Sequence, residues 1–327
     1  LTVPEWVEEE NYFFKLSLYQ QQIEDLIKSD SLQVFPKPRK NEVLSFIESG
    51  LEDFSISRSK KRAKNWGIPV PGDDNQVIYT WYDGLNIYQT AVGFGYDDAL
   101  WKKWWPADLH LIGKGIVRFH AVYWIGMLLS AQLPLPKSIF VHGYISSGGH
   151  KMSKSLGNVI DPFEVVKRYG TDATRYYLLR EIPAHGDGDF TFKRFEQLYN
   201  ADLANGLGNL VARVAKLAES QNYKVKNINF PVVNTGEYKK ALDEYRFNDA
   251  LGFIWARIKQ TDKFVNEKTP WNLSGDELHT VLEESIRQIL EIAMLLQPFL
   301  PETAQKILEQ FKGPTIISQP PLFPRLS

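Results

Sequence analysis

The sequence contains no cysteine among its 327 residues, which excludes a disulfide framework and a thiolate zinc site within this chain. It also lacks an excess of charge of either sign, because 38 lysines and arginines stand against 39 aspartates and glutamates. Without a global basic field, the chain can bind nucleic acid only through local patches. The lack of cysteine favours a reducing compartment.

Long apolar runs are missing as well. The most apolar run, FHAVYWIGMLLSAQLPLP at residues 119–136, carries His120, ends in prolines and is too short to span a bilayer. We interpret it as a buried helix. The opening residues, LTVPEWVEEE, are acidic and lack the apolar core of a signal peptide. With 43% hydrophobic and 24% charged residues, the composition predicts a soluble cytoplasmic chain that binds no membrane.

The chain is long enough for about two domains, and its pattern changes along its length. Before about residue 145, three apolar and β-branched runs predict buried strands. They are QVIYTW (76–81), ADLHLIG (107–113) and SIFVHGYI (138–145). Helical segments at 83–92 and 115–131 separate them, and this alternation predicts a Rossmann-like α/β fold with a parallel sheet. Ligands of such sheets bind beyond the carboxyl ends of the strands.

Helices are predicted on both sides of these strands. Ahead of them, one helix is expected within residues 11–30, and a second begins at Asn41, a favourable N-cap, and runs to residue 51. After about residue 195 the strand pattern stops, and apolar residues recur at three- and four-residue spacing. The long helical segments are 195–222, 237–268 and 276–300, with breaks at 222–236, in TPWNLSG and at Pro301. This pattern predicts an all-α helical bundle, joined to the sheet by two short helices within 161–182.

A short loop, GHKMSKSLGN at residues 149–158, follows the last predicted strand and so lies at the ligand edge of the sheet. Its lysines and serines, set between glycines, make it positive and rich in hydrogen-bond donors, which suits a polyphosphate. Residues 151–155, KMSKS, match the second signature of class I aminoacyl-tRNA synthetases, with a chance probability of about one in ten thousand. A solvated basic turn is the alternative.

The signature implies amino-acid activation, in which a carboxylate attacks the α-phosphate of ATP and negative charge builds on the departing pyrophosphate. Cations that meet this charge in the transition state lower the barrier more than they tighten substrate binding. Lys154 is the principal catalytic candidate, with Lys151 and Ser153 beside it.

The resemblance extends beyond one motif. Six segments together resemble the methionyl-tRNA synthetase family over nearly the whole chain: NYFFKL, NEVLSFIESGLEDFSISR, WGIPVPGD, VIYTWYDG, IGKGIVRFHAVYW and VHGYISSGGHKMSKSLGN. Class I synthetases for leucine, isoleucine, valine and cysteine share the lysine loop and remain alternatives. They do not usually share the ISR…WGIPVPGD run, so methionine is favoured.

This resemblance implies a methionine pocket and an ATP site. The methionine pocket would be lined by Trp81, Gly84, Tyr88, Ile116 and His120. Aromatic faces and a small neighbour suit a flexible thioether, and Tyr88 and His120 are candidate donors to its sulfur. Taken singly, each of these residues could be ordinary core. ATP, entering with Mg²⁺ as a substrate, would be contacted by Gly113, Ile145 and Lys154.

The sequence departs from the family pattern beside this site. Gly115 stands where the family usually has aspartate, which puts the positioning of nucleotide or amino acid in doubt, and Ile125 replaces a common proline. His142 is also expected at the ligand edge of the sheet.

The helical half resembles the anticodon-binding domain of the family. Asn205, Asn209 and Arg213 fall at four-residue steps and so share one helix face. Asparagine and arginine offer forked hydrogen bonds to base edges, and Trp271 after Pro270 could stack on an unpaired base. A solvated polar stripe and a packing tryptophan are the alternative. The anticodon implied by the resemblance is CAU.

One class I element is absent, because none of the six histidines forms a His-x-Gly-His motif. By resemblance, that motif and an inserted domain with a zinc site would precede residue 1, whereas PPLFPRLS at 320–327 looks like a natural terminus. The expectation is therefore the carboxyl-terminal part of a monomeric enzyme that uses methionine, ATP and tRNA(Met), with no metal site of its own and inactive when isolated. A tRNA-binding module without catalysis is the alternative.

The resemblance also implies that the chain is divided into three parts. They are the carboxyl-terminal half of a catalytic domain (1–145), the lysine loop with connecting helices (146–195) and a helical anticodon-binding domain (196–327).

Overall fold

The computed structural model describes residues 8–225 and 235–326. The first seven residues, on which the absence of a leader was judged, lie outside the described residues, as does most of the predicted break at 222–236. The chain divides into two compact units, Leu1–His142 and Gly143–Ser327. The three-part division stays a prediction. Among the described residues, no helix combines the length and apolarity needed to cross a bilayer.

The first unit mixes short strands and helices. Its strands are β1 Phe13–Phe14, β2 Gln33–Phe35, β3 Phe54–Ser55, β4 Ser57–Ser59, β5 Pro69–Val70, β6 Asp73–Ile78, β7 His110–Gly113 and β8 Ser138–His142. Its helices are α1 Gln20–Lys28, α2 Lys37–Glu48, α3 Thr80–Gly84, α4 Ile87–Thr90, α5 Asp98–Trp104 and α6 Trp124–Ser130. A π-helical turn, Phe119–Tyr123, leads directly into α6.

A parallel sheet with the order β2-β8-β7 confirms the predicted α/β class. The predicted strands at 107–113 and 138–145 are present as β7 and β8, and the segment between them is helical as predicted. Gly113 and His142 are register partners at the carboxyl ends of the two strands. The ligand edge of the sheet therefore lies where the sequence placed it.

The predicted buried strand QVIYTW at 76–81 is confirmed only for residues 76–78, and its place in the parallel sheet is wrong. Strand β6 ends at Ile78 and pairs antiparallel with β4 and β5 in a separate sheet, and Thr80 already begins α3. Its place in the parallel sheet is taken by β2, which the sequence did not reveal. Only Gln76 and Val77 of β6 are buried, because its first half is made of polar residues.

Helix boundaries near the start of the unit also differ from expectation. The predicted N-cap at Asn41 is wrong, because α2 begins at Lys37, four residues earlier, with Pro36 as its N-cap and Pro38 in its first turn. Proline fits the first turn because its missing N–H would have no helical partner there. Within 11–30, the helix α1 covers only Gln20–Lys28, after β1 and a 3-10 turn. The predicted helix at 83–92 is two short pieces, α3 and α4.

The core of the first unit lies between α1, α2 and the parallel sheet. Ile23 and Ile27 of α1 and Val43 and Ile47 of α2 have no exposed surface, and neither has Ile139 of β8. Each side chain of this size contributes about 1.5–3 kcal/mol when it is removed from water. Their four-residue spacing on the two helices is the pattern of an amphipathic face.

The second unit is mainly helical. Its strands are β9 Ile145–Ser147, β10 His150–Lys151 and β11 Gly188–Phe190. Its helices are α7 Pro162–Tyr169, α8 Thr171–Arg180, α9 Phe192–Leu198, α10 Asn209–Ser220, α11 Gly236–Asp243, α12 Phe247–Lys268, α13 Gly275–Leu296 and α14 Pro301–Phe311. A π-helical segment, Tyr199–Gly208, joins α9 to α10.

These helices confirm the predicted bundle, including the two short helices α7 and α8. The segment 237–268 is divided between α11 and α12, because Tyr245 adopts a left-handed conformation with φ of 57°. Arg175 of α8 donates to the carbonyls of Pro298 and Phe299, and Asp172 accepts from the Thr303 N–H at the start of α14. The connecting helices therefore share the packing of the bundle.

Candidate functional site

The lysine loop is anchored by a small β hairpin. Strands β9 and β10 pair antiparallel across Gly148 and Gly149, which both have positive φ. Asp189 of β11 accepts hydrogen bonds from the Ser146 hydroxyl at 2.6 Å and from the Gly149 N–H at 2.8 Å. The Ser146 hydroxyl, followed by the Gly149 N–H, lowers the pKa of the Asp189 carboxyl. A charged carboxylate thus holds the base of the hairpin.

Beyond the hairpin, the residues of the KMSKS motif form a closed turn. The Ser153 hydroxyl accepts from the Leu156 N–H at 3.2 Å and caps a 3-10 turn, Lys154–Leu156, that ends at Gly157 with φ of 64°. Asn158 returns the chain to the start of the turn, since its side chain accepts from the Ser153 N–H at 3.0 Å and donates to the Lys151 carbonyl at 3.2 Å. Sequence reasoning did not assign Asn158 or Asp189.

The two lysines of this turn point into solvent. Lys151 and Lys154 are both exposed, and neither forms an ion pair with any residue that the structure describes. Their charges therefore remain available to an anionic ligand. Ile145, predicted beneath the nucleotide base, is 39% exposed and is the first residue of β9 in the same hairpin.

In the first unit, three of the predicted methionine-pocket residues form a chain of hydrogen bonds. The Nδ1 atom of His120 lies 3.0 Å from the carbonyl oxygen of Ile116, and its Nε2 atom lies 2.8 Å from the Tyr88 hydroxyl. Burial lowers the pKa of His120, partly offset by the bond to Ile116. A neutral ring that donates from Nδ1 must accept at Nε2, so the Tyr88 hydroxyl donates to it. The Tyr88 hydroxyl and the His120 N–H, which were predicted as donors to the methionine sulfur, are thus both engaged in hydrogen bonds within the chain.

An aromatic cavity of about 180 Å³ lies near the fourth predicted residue, Trp81. The indole of Trp81 stacks on Phe119 with ring centroids 4.3 Å apart. The remaining wall consists mainly of aromatic and aliphatic side chains: Phe54, Tyr79, Tyr82, Leu85, Tyr123 and Met127. Phe119 and Tyr123 were not predicted, although they stand four residues apart in the apolar segment 115–131.

Glycines occupy two further predicted positions. Gly84 ends α3, and a Cβ placed on it would meet no atom within 4 Å, so it borders open space. Gly113 is the last residue of β7 at the ligand edge. Of the two departures from the family pattern, Gly115 is exposed in a 3-10 turn and Ile125 is fully buried in α6. Ile125 is thus a core residue.

Sequence reasoning missed His110, which packs beside the Tyr88–His120 pair. Its ring centroid lies 4.4 Å from that of Tyr88 and 6.1 Å from that of His120. Its Nε2 atom is buried and has no hydrogen-bond partner among the described residues. Burial, with a smaller effect from His120, lowers the pKa of His110 to about 4. The ring is therefore neutral at pH 7.

Acidification should destabilise this cluster. A histidine with a folded pKa of about 4 and an ordinary value of 6.5 binds its proton more readily when unfolded. The free energy of unfolding should therefore fall as the pH falls from 6.5 to 4. Denaturant unfolding of the chain across this range checks the slope. A His110→Phe variant should have a shallower slope, and identical slopes for the two proteins would contradict this explanation.

In the second unit, Arg213 is held by α12. Its guanidinium donates to Asp262 at 2.7 Å and to Asn266 at 2.8 Å, and Asn266 in turn donates to Asp262 at 2.9 Å. The Nε atom of Arg213 is buried without a partner among the described residues. The forked face of the guanidinium, proposed as a base reader, is therefore occupied in this structure.

The structure brings Arg213, Pro270 and Trp271 together around a cavity of about 290 Å³. Trp271 is 52% exposed, whereas Pro270 is buried. The rest of the wall is mostly apolar, with Val214, Leu217, Val265 and Leu282 beside the polar Lys216, Ser220 and Ser285. Asn205 lines a neighbouring hollow that also includes Asp262 and Asn266. Asn209 is exposed on the first turn of α10.

No cluster of three or more metal-ligating side chains occurs within residues 8–225 and 235–326.

Comparison with known proteins gives consistent matches. The family model of class I tRNA synthetases (M) matches residues 2–215. A methionine–tRNA ligase of Brucella melitensis is 42% identical over 336 residues, covering 96% of this chain and 63% of that protein. One from Thermotoga maritima is 41% identical over 325 residues, covering 93% of this chain and 51% of that protein. This chain spans about half to two thirds of the length of these relatives.

Solved structures agree with the sequence matches. The crystal structure of Mycobacterium tuberculosis methionyl-tRNA synthetase bound by methionyl-adenylate matches with a TM-score of 0.87 and 33% identity, covering 98% of this chain and 70% of that chain. The apo form of the same enzyme matches with a TM-score of 0.85 and 32% identity. The likeness thus covers both units of the chain.

Proposed function

The chain belongs to the class I tRNA synthetase family, and from that premise we propose that it is part of a methionine–tRNA ligase. The ligase activates methionine with ATP to methionyl-adenylate and transfers the methionyl group to tRNA(Met). The observation that carries this proposal is the 42% identity to a methionine–tRNA ligase over 96% of the chain. The relatives and solved structures described above are methionine enzymes, which favours methionine over leucine, isoleucine, valine and cysteine.

In this proposal the lysine loop acts on the phosphates of ATP, which enters as its magnesium complex. Lys154, assisted by Lys151 and Ser153, stabilises the charge that builds on pyrophosphate as the methionine carboxylate attacks the α-phosphate. The exposure of both lysines and their lack of ion pairs among the described residues support this role. Gly113 and Ile145 are proposed to contact the rest of the nucleotide.

Methionine recognition is assigned to the first unit. The thioether would lie against Trp81 and next to Gly84, while the Tyr88–His120 pair, fixed by the Ile116 carbonyl, supplies a polar boundary. The N–H of His120 and the O–H of Tyr88 are both already engaged in hydrogen bonds. Selection of methionine over other amino acids would therefore come mainly from the shape of the pocket and from sulfur–aromatic contact.

The helical part, 196–327, is proposed to bind the CAU anticodon through Asn205, Asn209, Arg213, Pro270 and Trp271. The cavity shared by Arg213, Pro270 and Trp271 supports this assignment, because it sets an exposed indole beside an apolar wall. The parts 1–145 and 146–195 would supply the catalytic half-domain and the lysine loop. We further propose a monomer that works in the cytoplasm, where its tRNA substrate is used.

Methionine-dependent exchange between pyrophosphate and ATP tests the proposal in the complete parent protein. Exchange should require methionine, and leucine, isoleucine, valine or cysteine at equal concentration should give only background. Stronger exchange with any of these four amino acids would reject the methionine assignment. Aminoacylation of tRNA(Met), compared with a tRNA of another anticodon, tests the second half of the reaction.

The isolated 327-residue chain should show no such exchange above background. It contains the lysine loop, but its six histidines provide no His-x-Gly-His motif to hold the phosphates from the opposite side. Binding of tRNA(Met) should persist, because the helical unit has its own core. Exchange by this chain that disappears in Lys154→Ala would contradict the expectation. Loss of tRNA binding would remove the alternative of a free-standing tRNA-binding module.

A further inference from the structure

The side chain of Asn158 spans the lysine loop. Its amide accepts from the Ser153 N–H at 3.0 Å and donates to the Lys151 carbonyl at 3.2 Å. Both contacts are to backbone atoms within the KMSKS motif, on either side of Met152. The amide therefore joins the end of the turn to its beginning, with Lys154 held between them.

These two contacts require the chemistry of asparagine. The Ser153 N–H can only donate and the Lys151 carbonyl can only accept, so the bridging side chain must offer one acceptor and one donor. A carboxylate would face the carbonyl with a second acceptor, and an alanine would offer neither group. Gly157, immediately before Asn158, is in the left-handed region with φ of 64°, which directs the chain back toward the turn.

Other contacts hold the first part of the motif, because Lys151 pairs with Ser146 in the hairpin and Met152 packs against the core of the second unit. Asp189 holds the hairpin through Ser146 and Gly149, which lie before the motif. Within the motif, the Ser153 hydroxyl contacts the Leu156 N–H and the Ser155 hydroxyl, both in the turn itself. The Asn158 bridge adds a hydrogen bond at Ser153, the residue immediately before Lys154.

We propose that Asn158 is a positioning residue that sets the conformation of the KMSKS turn and so aims Lys154 at the phosphates of ATP. The proposal rests on the proposed function, because it assigns Asn158 an effect that is expressed only through Lys154. In this proposal Asn158 acts through Lys154 and not by contact with the substrate. A displacement of about 1 Å in a catalytic group can cost on the order of a hundredfold in rate.

A double-variant comparison in the complete parent protein tests this inference. Asn158→Ala should lower the kcat of methionine-dependent exchange by about 10- to 100-fold and leave the KM for methionine unchanged. In a Lys154→Ala background, the same Asn158→Ala change should alter kcat by no more than about twofold. Asn41→Ala, at an exposed site on α2, serves as the matched control and should leave exchange at the wild-type level.

Two results would overturn the positioning role of Asn158, and a third would reject the proposed function. Equal fold-losses from Asn158→Ala with and without Lys154 would overturn the positioning role, because independent effects multiply. A lowered melting temperature of Asn158→Ala, together with a loss of the tRNA binding that Lys154→Ala retains, would make Asn158 structural and also overturn it. Absence of exchange in the wild-type parent protein would instead reject the proposed function itself.

Discussion

Replacing Lys154 with alanine in the complete parent protein should lower the kcat of methionine activation by about 10²- to 10³-fold, with little change in the KM for methionine. The ammonium group is exposed and makes no ion pair within the described chain, so its removal leaves no buried partner unsatisfied. The loss should therefore appear in the transition state, where charge builds on pyrophosphate. Steady-state exchange at varied methionine and ATP concentrations measures both constants.

The matched control for this prediction is Lys306→Ala, which removes an exposed lysine from α14. It should leave kcat and both KM values unchanged. A Lys154→Ala protein with unchanged kcat and a KM for ATP raised by the same 10²- to 10³-fold would make Lys154 a ground-state anchor. Equal effects from the two lysines would mean that net charge, and not position, controls the reaction.

Local chemical patterns made the lysine loop and the bundle predictable. KMSKS is contiguous, running from Lys151 at the end of β10 into the 3-10 turn that Ser153 caps, so it could be recognised from sequence alone. The apolar periodicity of α12 and α13 extends over 22 residues each, long enough to specify a helix without further information. Such features depend only on neighbours in sequence.

Long-range pairing explains what the sequence did not reveal. Strand β2 has three residues and becomes a strand by pairing with β8, more than 100 residues later. Strand β6 has the composition of a buried strand at Val77 and Ile78, but its partners β4 and β5 determine that its sheet is antiparallel. The composition of a segment favours a strand, whereas the strands with which it pairs determine which sheet it joins and in which direction.

In the candidate sites, too, residue types could be predicted from the sequence but long-range contacts could not. The residue types of the proposed methionine pocket could be named from the sequence, whereas the hydrogen bond between Tyr88 and His120 joins residues 32 positions apart. Likewise Arg213 was predicted as a base reader from its helix face, but its contact with Asp262 comes from a helix 49 residues later. The identity of a side chain can be read from the sequence. Whether its polar atoms are free to bind a ligand can be seen only in the packed structure.

Replacing Trp271 with alanine should weaken the binding of a tRNA with a CAU anticodon by about 1–3 kcal/mol, or roughly 5- to 150-fold in Kd. The indole is half exposed beside the cavity it shares with Arg213, so it can stack on an unpaired base. Because it is not a core residue, its removal should leave the melting temperature nearly unchanged. Binding titrations of the isolated chain with CAU and non-CAU tRNAs measure the effect.

Arg213→Ala provides the contrast that separates base recognition from packing. Its removal leaves Asp262 and Asn266 without their cationic partner, so this variant should lower the melting temperature as well as weaken binding. Trp66→Ala, at a tryptophan that is 73% exposed in the first unit, should change neither quantity. If Trp271→Ala weakened CAU and non-CAU tRNAs equally, the indole would contact the tRNA without reading its anticodon. If it lowered the melting temperature as Arg213→Ala does, Trp271 would be a packing residue, and the assignment of the cavity to an anticodon base would be wrong.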